Sequence, residues 1–204
     1  MYGKIKSGFT LVEMAVIIVI VGLVVMTILP TMFGTIKKEK IKEARKIVET
    51  AREEIMGLTM MNSTDHPLYY LPSNSTDNKT GEPSVPESLA HSKDPWGNPL
   101  LYYVACNATG ESLGNNTSGN WTSICEFTNS TLNVVDYVGH NATGIAFIVV
   151  SRGPNQRLDI EFNGSGVNNY TDYITNHNET NATFYFDDIA KFVTLDYLKN
   201  KICP

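Results

Sequence analysis

Between Glu13 and Lys37 the sequence has no charged side chain, a gap of 23 residues reading MAVIIVIVGLVVMTILPTMFGTI. Wound as a helix that rises about 1.5 Å per residue, this run spans roughly 35 Å, enough to cross a bilayer. No small-residue A-x-A site follows it before the basic stretch 37–46, so it is expected to stay on the protein rather than be removed as an ordinary secretory signal. Catalytic patterns are missing too. The four histidines, His66, His91, His140 and His177, are scattered through polar segments without metal-ligand spacing, and there is no Gly-rich phosphate loop and no G-x-S-x-G elbow. The expectation is a chain that is not an enzyme. Basic charge is scarce: from Ile55 onward there are 7 basic against 15 acidic side chains, which gives no support for a nucleic-acid site.

What is present starts with a short basic preface, MYGKIKSG, whose side-chain charges are Lys4 and Lys6. The positive-inside tendency keeps that end in the cytoplasm and sends the bulk of the chain outward. At 204 residues there is room for one globular core plus a long protruding helix. Glu13 stands at the head of the apolar run, and an unpaired carboxylate near the bilayer interior costs at least a few kcal/mol, so it calls for a partner.

The motif around it, Gly8-Phe9-Thr10-Leu11-Val12-Glu13, resembles the class III leader of type IV pilins and type II secretion pseudopilins. The resemblance implies that a prepilin peptidase cuts between Gly8 and Phe9 and methylates the new amino terminus of Phe9. It also implies that Glu13 pairs with the α-amino group of Phe9 in a neighbouring subunit during assembly, neutralising a charge otherwise stranded in lipid. Gly22 and Pro30 weaken a helix by entropy and by a lost hydrogen bond. Many bacterial pilins carry both residues at these places, which implies a helix that melts and extends between them on leaving the membrane.

Past Gly34 the composition changes to interleaved Lys, Arg and Glu, with Ile41, Ala44, Val48, Ala51, Ile55 and Leu58 at spacings of three and four, an apolar stripe that needs a cover. Both segments are satisfied by the α+β pilin fold: one N-terminal helix of about 50 residues packed on a C-terminal antiparallel β-sheet with long loops. The expected division is a leader at 1–8, a transmembrane and filament-core helix at 9–36, its amphipathic half at 37–61 and a head at 62–204. Residues 62–93, rich in Ser, Thr, Asn and Pro, read as a surface loop. The stretch DPWGNPLLYY (residues 94–103) resembles the D-P-W-G-N-P-x-x-Y segment that opens the sheet in major pseudopilins, with Trp96 beneath the turn. Strands are expected at 144–151 (GIAFIVVS), central because nearly all apolar, and at 158–163. Between them, SRGPNQ resembles the S-x-G-P-[DN]-G turn of the same families. The tail FYFDDIAKFVTL resembles their closing segment, a last strand or turn with Phe192 and Leu195 inward. Where pseudopilins continue into an acidic calcium loop, this chain reads QRLDIEFNGSGVNN; no cofactor is expected, and Asp159, Asp172, Asp187 and Asp188 are weak calcium candidates, surface acids otherwise.

Three cysteines, Cys106, Cys125 and Cys203, lie in the part expected to be exported, where one disulfide can persist. Cys106 with Cys125 is favoured, closing a 20-residue loop worth roughly 3 kcal/mol. Cys125 with Cys203, in the manner of many pilin D-loops, stands close behind. An abundance of N-x-[ST] triplets was less to be expected, at Asn62, Asn74, Asn78, Asn107, Asn115, Asn116, Asn120, Asn129, Asn141, Asn163, Asn169, Asn178 and Asn181. These are 13 of 19 asparagines, where composition alone gives about three, so N-linked glycans are expected.

Two family roles remain open on these residues. In the favoured one the chain is a structural subunit of an extracellular type IV pilus, for adhesion, twitching motility or DNA uptake. In the alternative it is a type II secretion pseudopilin in a periplasmic pseudopilus. A tethered enzyme or binding module is the third and weakest reading. The resemblance implies the inner membrane before assembly, then a homopolymer served by the prepilin peptidase, a pilus assembly platform and an ATPase.

Overall fold

The computed structural model describes residues 10–61, 71–72, 75–76, 82–105, 113, 123–136, 141–158, 161–163, 166–170 and 188–203, with the backbone alone for 29–34, 75–76, 135–136, 161–163 and 166–170. The first helix, α1 (Leu11–Met61), is 51 residues long, as the two apolar patterns predict, and runs without interruption through Gly22 and Pro30. The chain divides into two compact units, Met1–Glu39 and Lys40–Pro204.

In the first unit every described side chain from Thr10 to Ile28 is exposed, including Leu11 at 87% and Met26 at 77%. A helix that is apolar on all sides has no inward face to choose, and its described side chains are uncovered among the described residues.

In the second unit the stripe behaves as its spacing requires. Ala44, Val48, Ala51 and Ile55 are completely buried, while Ile41 and Leu58 are half-buried at its margins. Thr59 takes the last inward place that spacing assigned to Leu58; its hydroxyl donates to the Ile55 carbonyl at 2.7 Å, which makes a buried threonine tolerable.

Among the described residues nine strands follow: β1 (Ser75–Thr76), β2 (Pro83–Ser84), β3 (Leu101–Val104), β4 (Asn133–Asp136), β5 (Asn141–Ala142), β6 (Ile145–Ser151), β7 (Glu161–Asn163), β8 (Gly166–Tyr170) and β9 (Ile189–Thr194), with a closing helix α2 (Leu195–Ile202). Five of them form an antiparallel sheet in the order β1-β2-β3-β6-β9. Its centre is β6, all seven of whose residues are buried, flanked by β3 (Tyr102 opposite Val149) and β9 (Phe192 opposite Ile148). An uninterrupted apolar run is what a strand covered on both faces needs.

A second sheet, β5-β4-β8-β7, was not foreseen, and it departs from the all-antiparallel expectation because β4 and β8 run parallel, with Val134 opposite Val167. Its strands are short and rich in Asn, so they lack the apolar alternation by which a strand is recognised. Of the strand expected at 158–163, residues 161–163 form β7 at an edge of this sheet, while 159–160 lie outside the described residues. Residues 62–93 are not simply a surface loop: β1 and β2 extend the first sheet, and Leu71, Val85 and Leu89 are buried in the core. At the tail Leu195 is buried as expected and Phe192 half-buried, but the chain continues into α2. Thr194 caps that helix by accepting from the Tyr197 N–H, and Leu195, Leu198 and Ile202 form its buried side.

Candidate assembly site

The start of α1 is organised by two residues three positions apart. Thr10 Oγ1 accepts from the Glu13 N–H at 3.3 Å, while the Thr10 N–H (2.8 Å) and hydroxyl (2.9 Å) both donate to Glu13 Oε2. This reciprocal arrangement is a capping box, in which each residue satisfies a backbone donor that the helix leaves open at its first turn. The carboxylate also lies at the positive end of the helix dipole. The partner that Glu13 calls for is therefore supplied in part by its own chain. The T-x-x-E spacing of such a box is legible in the sequence. Both donors converge on Oε2; Oε1 has no partner among the described residues. Gly8 and Phe9, the expected cleavage and methylation positions, lie outside the described residues.

Leu11–Ile28 is long and apolar enough to cross a membrane. The one hydroxyl inside that span, Thr27, turns back onto the Leu23 and Val24 carbonyls at 3.2 and 2.9 Å, which removes the cost of carrying a free donor through lipid. A Cβ added at Gly22 would meet nothing within 4 Å, so no packing inside the chain demands glycine there.

In the head, the two turns picked out separately in the sequence prove to be one unit. Asp94 Oδ1 accepts from the backbone N–H groups of Trp96 (3.0 Å) and Asn98 (2.9 Å), closing a turn that places Gly97 at φ +85°. Asp94 Oδ2 accepts from the Ser151 hydroxyl at 3.0 Å, and Ser151 Oγ in turn accepts from the Gly153 N–H at 3.3 Å. Asp94 and Ser151 are both buried, so this chain of bonds ties the DPWGN turn to the SRGPN turn where water does not compete. Trp96 is half-buried against the core, the structural place expected for it. The next residue along, Arg152, is buried and paired with Glu82. Burial first, then the carboxylate of Glu82, raises the phenol of nearby Tyr103; Arg152 opposes and Asp188 adds to the rise.

The disulfide joins Cys125 to Cys203, with Cα atoms 5.8 Å apart. This corrects the favoured pairing of Cys106 with Cys125; Cys106 lies outside the described residues. The physical reason is α2: its buried face of Leu198 and Ile202 holds the C-terminus on the core, and Lys199 donates to the Phe127 carbonyl beside the same turn as Cys125. By loop length the bond restrains the unfolded chain by roughly 4.5 kcal/mol, more than a 20-residue loop would give.

Of the histidines, His91 is not isolated. Its ring Nδ1 lies 2.5 Å from Glu54 Oε1 and its N–H donates to Glu54 Oε2, fastening the segment before the DPWGN turn to α1. Of the acidic candidates for a cation, Asp188 is completely buried, while Asp159, Asp172 and Asp187 lie outside the described residues. Among the described residues no three His, Cys, Asp or Glu side chains gather as a metal site would require. Among the sequon asparagines, Asn129 and Asn141 have described side chains and both are exposed; Asn163 and Asn169 fall in β7 and β8.

Compared with known proteins, the chain is 25% identical over 134 residues to the type II secretion system core protein G of Aeromonas hydrophila, an alignment covering 57% of this chain and 92% of that protein. No family model and no solved structure matches it.

Proposed function

We propose that this protein is a filament subunit of the pseudopilus kind, inserted in the inner membrane through residues 9–36 and drawn from there into a periplasmic fibre of a type II secretion machine. The observation that carries the reading is the alignment over nearly the whole of protein G together with a fully exposed apolar helix start headed by a carboxylate. An apolar surface of that size is stable only in lipid or against other copies of itself, and a filament supplies the second environment when the first is left.

In this reading the leader 1–8 is removed between Gly8 and Phe9 by a prepilin peptidase, and the new Phe9 amine is methylated. Glu13 keeps Oε2 on Thr10 and offers Oε1 to the Phe9 amine of a neighbour, so the carboxylate need not be stripped bare while it waits in the membrane. Gly22 and Pro30 mark where the helix loosens as the subunit is extracted by the assembly platform and its ATPase. The head contributes shape and no chemistry, and its Asp94–Ser151 and Cys125–Cys203 ties keep it rigid during extraction. The dense sequons favour a second reading, a displayed type IV pilus for adhesion, motility or DNA uptake, since sugars suit a surface that meets the outside.

Intact mass and N-terminal sequencing of sheared and envelope fractions test the proposal. A subunit beginning at methylated Phe9 and retained in the envelope is the expected result. Release of that subunit by shearing transfers the assignment to the pilus, and an uncleaved Met1 in the membrane fraction overturns both.

A further inference from the structure

The sequons are distributed by architecture. All 13 lie between residues 62 and 183, and α1 contains no asparagine at all. None falls in β3, β6 or β9, the strands that hold the core of the first sheet, whereas β5, β7 and β8 of the second sheet each carry one. Local composition does not account for this: 18 asparagines and 25 Ser and Thr residues in that 122-residue segment would give about four such triplets if placed at random. Position two carries Thr in 11 of the 13, and no intervening residue is proline.

Outside the triplets the asparagines with described side chains are Asn98, Asn133, Asn155 and Asn200, of which Asn200 is exposed. Asn155 has a visible folding role, its side-chain oxygen accepting from the Arg157 N–H at 2.7 Å, and it is not a sequon. Asn129 and Asn141 are sequons, and both are exposed. Asn141 lies on β5, at the edge of the second sheet, with the hydroxyl-bearing Thr143 exposed two residues on. An asparagine kept for its hydrogen bonds has no need of a hydroxyl at a fixed offset; an acceptor for a glycosyl group does.

We infer that Asn141 on β5 and Asn129, in the segment leading into β4, are N-glycosylated acceptors, while α1 is kept free of sugar. The donor would be an oligosaccharide linked to a polyprenyl phosphate or pyrophosphate. The Asn Nδ2 attacks C1 of the first sugar, the C1–O bond to phosphate breaks, the C1–Nδ2 bond forms, one amide proton is lost and the lipid phosphate departs. The division keeps sugars off the helix that subunits share and coats the edge strand β5, which blocks pairing of its open edge with other chains.

The inference rests on the proposed export of the head but not on which fibre it joins. The test is glycopeptide mapping of the full-length protein purified from its native cell envelope, alongside Asn141→Gln, Asn129→Gln, Thr143→Ser and Thr143→Ala. Each Asn→Gln change should remove one glycan mass from its peptide. Thr143→Ser should keep Asn141 occupied and Thr143→Ala should lower its occupancy at least tenfold, a contrast that a structural role for the side chain would not produce. Protease digestion of spheroplasts reports export separately. A head that is accessible outside yet unmodified at Asn129 and Asn141 overturns this inference alone, whereas a head protected inside overturns it together with the proposed function.

Discussion

The two halves of α1 are continuous in backbone and opposite in obligation. From Leu11 to Ile28 the apolar side chains face outward on every side, while Ala44, Val48, Ala51 and Ile55 are sealed within the head. One half finishes its burial inside the chain and the other is exposed among the described residues, which in the proposed function leaves its burial to a membrane or to other subunits. The difference teaches where mutations should register: changes in the second unit as stability of the head, changes in the first as partition and assembly.

The largest effect expected is for Ile55→Ala, which empties a completely buried place and should lower head stability by about 3 kcal/mol. Ile20→Ala, exposed at 55%, should leave the unfolding of the head unchanged while weakening retention in the membrane. Equal losses in chemical denaturation would break the comparison.

Next comes Cys203→Ser, which frees Cys125 and the end of α2; a cost of about 3 kcal/mol is expected, below the roughly 4.5 that loop length sets as its ceiling. Reduction of the wild type should give the same midpoint, and no further loss should follow in the variant.

Asp94→Ala would strand the Ser151 hydroxyl and two turn N–H groups in a buried place, at a cost of about 2 kcal/mol. Loss of near-ultraviolet circular dichroism from Trp96 would report the same release.

Tyr102 should show the smallest change and the opposite sign. Its ring meets Phe147 edge-on at 5.7 Å, but its hydroxyl is buried with no partner among the described residues. Tyr102→Phe should therefore stabilise the head by about 1 kcal/mol. Burial holds the Tyr102 phenol well above its ordinary value. Because the folded value is the raised one, the wild type should be fully stable below about pH 10 and lose about 1.4 kcal/mol per pH unit above it, a slope the Phe variant should lack in its share.

What the sequence disclosed followed how apolar it was. The uncharged run, the stripe from Ile41 to Ile55 and the GIAFIVVS strand each announced an element, and each is there. The second sheet was hidden because β4, β5 and β8 read NVVD, NA and GVNNY with no periodic contrast, and the parallel pairing of β4 with β8 is decided by contacts distant in the chain. The helix α2 was missed because LDYLKNKI is short and offers only three inward residues. At the helix start the T-x-x-E spacing carries the signal for the Thr10–Glu13 bond, whereas the long-range tie between Asp94 and Ser151 has no sequence signal at all.

The central claim is that residues 11–28 are finished by other copies of the same chain. Placing a cysteine at the exposed Val16 and oxidising intact envelopes tests it most directly. A covalent dimer that the unsubstituted chain does not form, and that weakens when Glu13 is changed to Gln, is the predicted result. Monomer alone, with the same cysteine readily alkylated, would contradict the account.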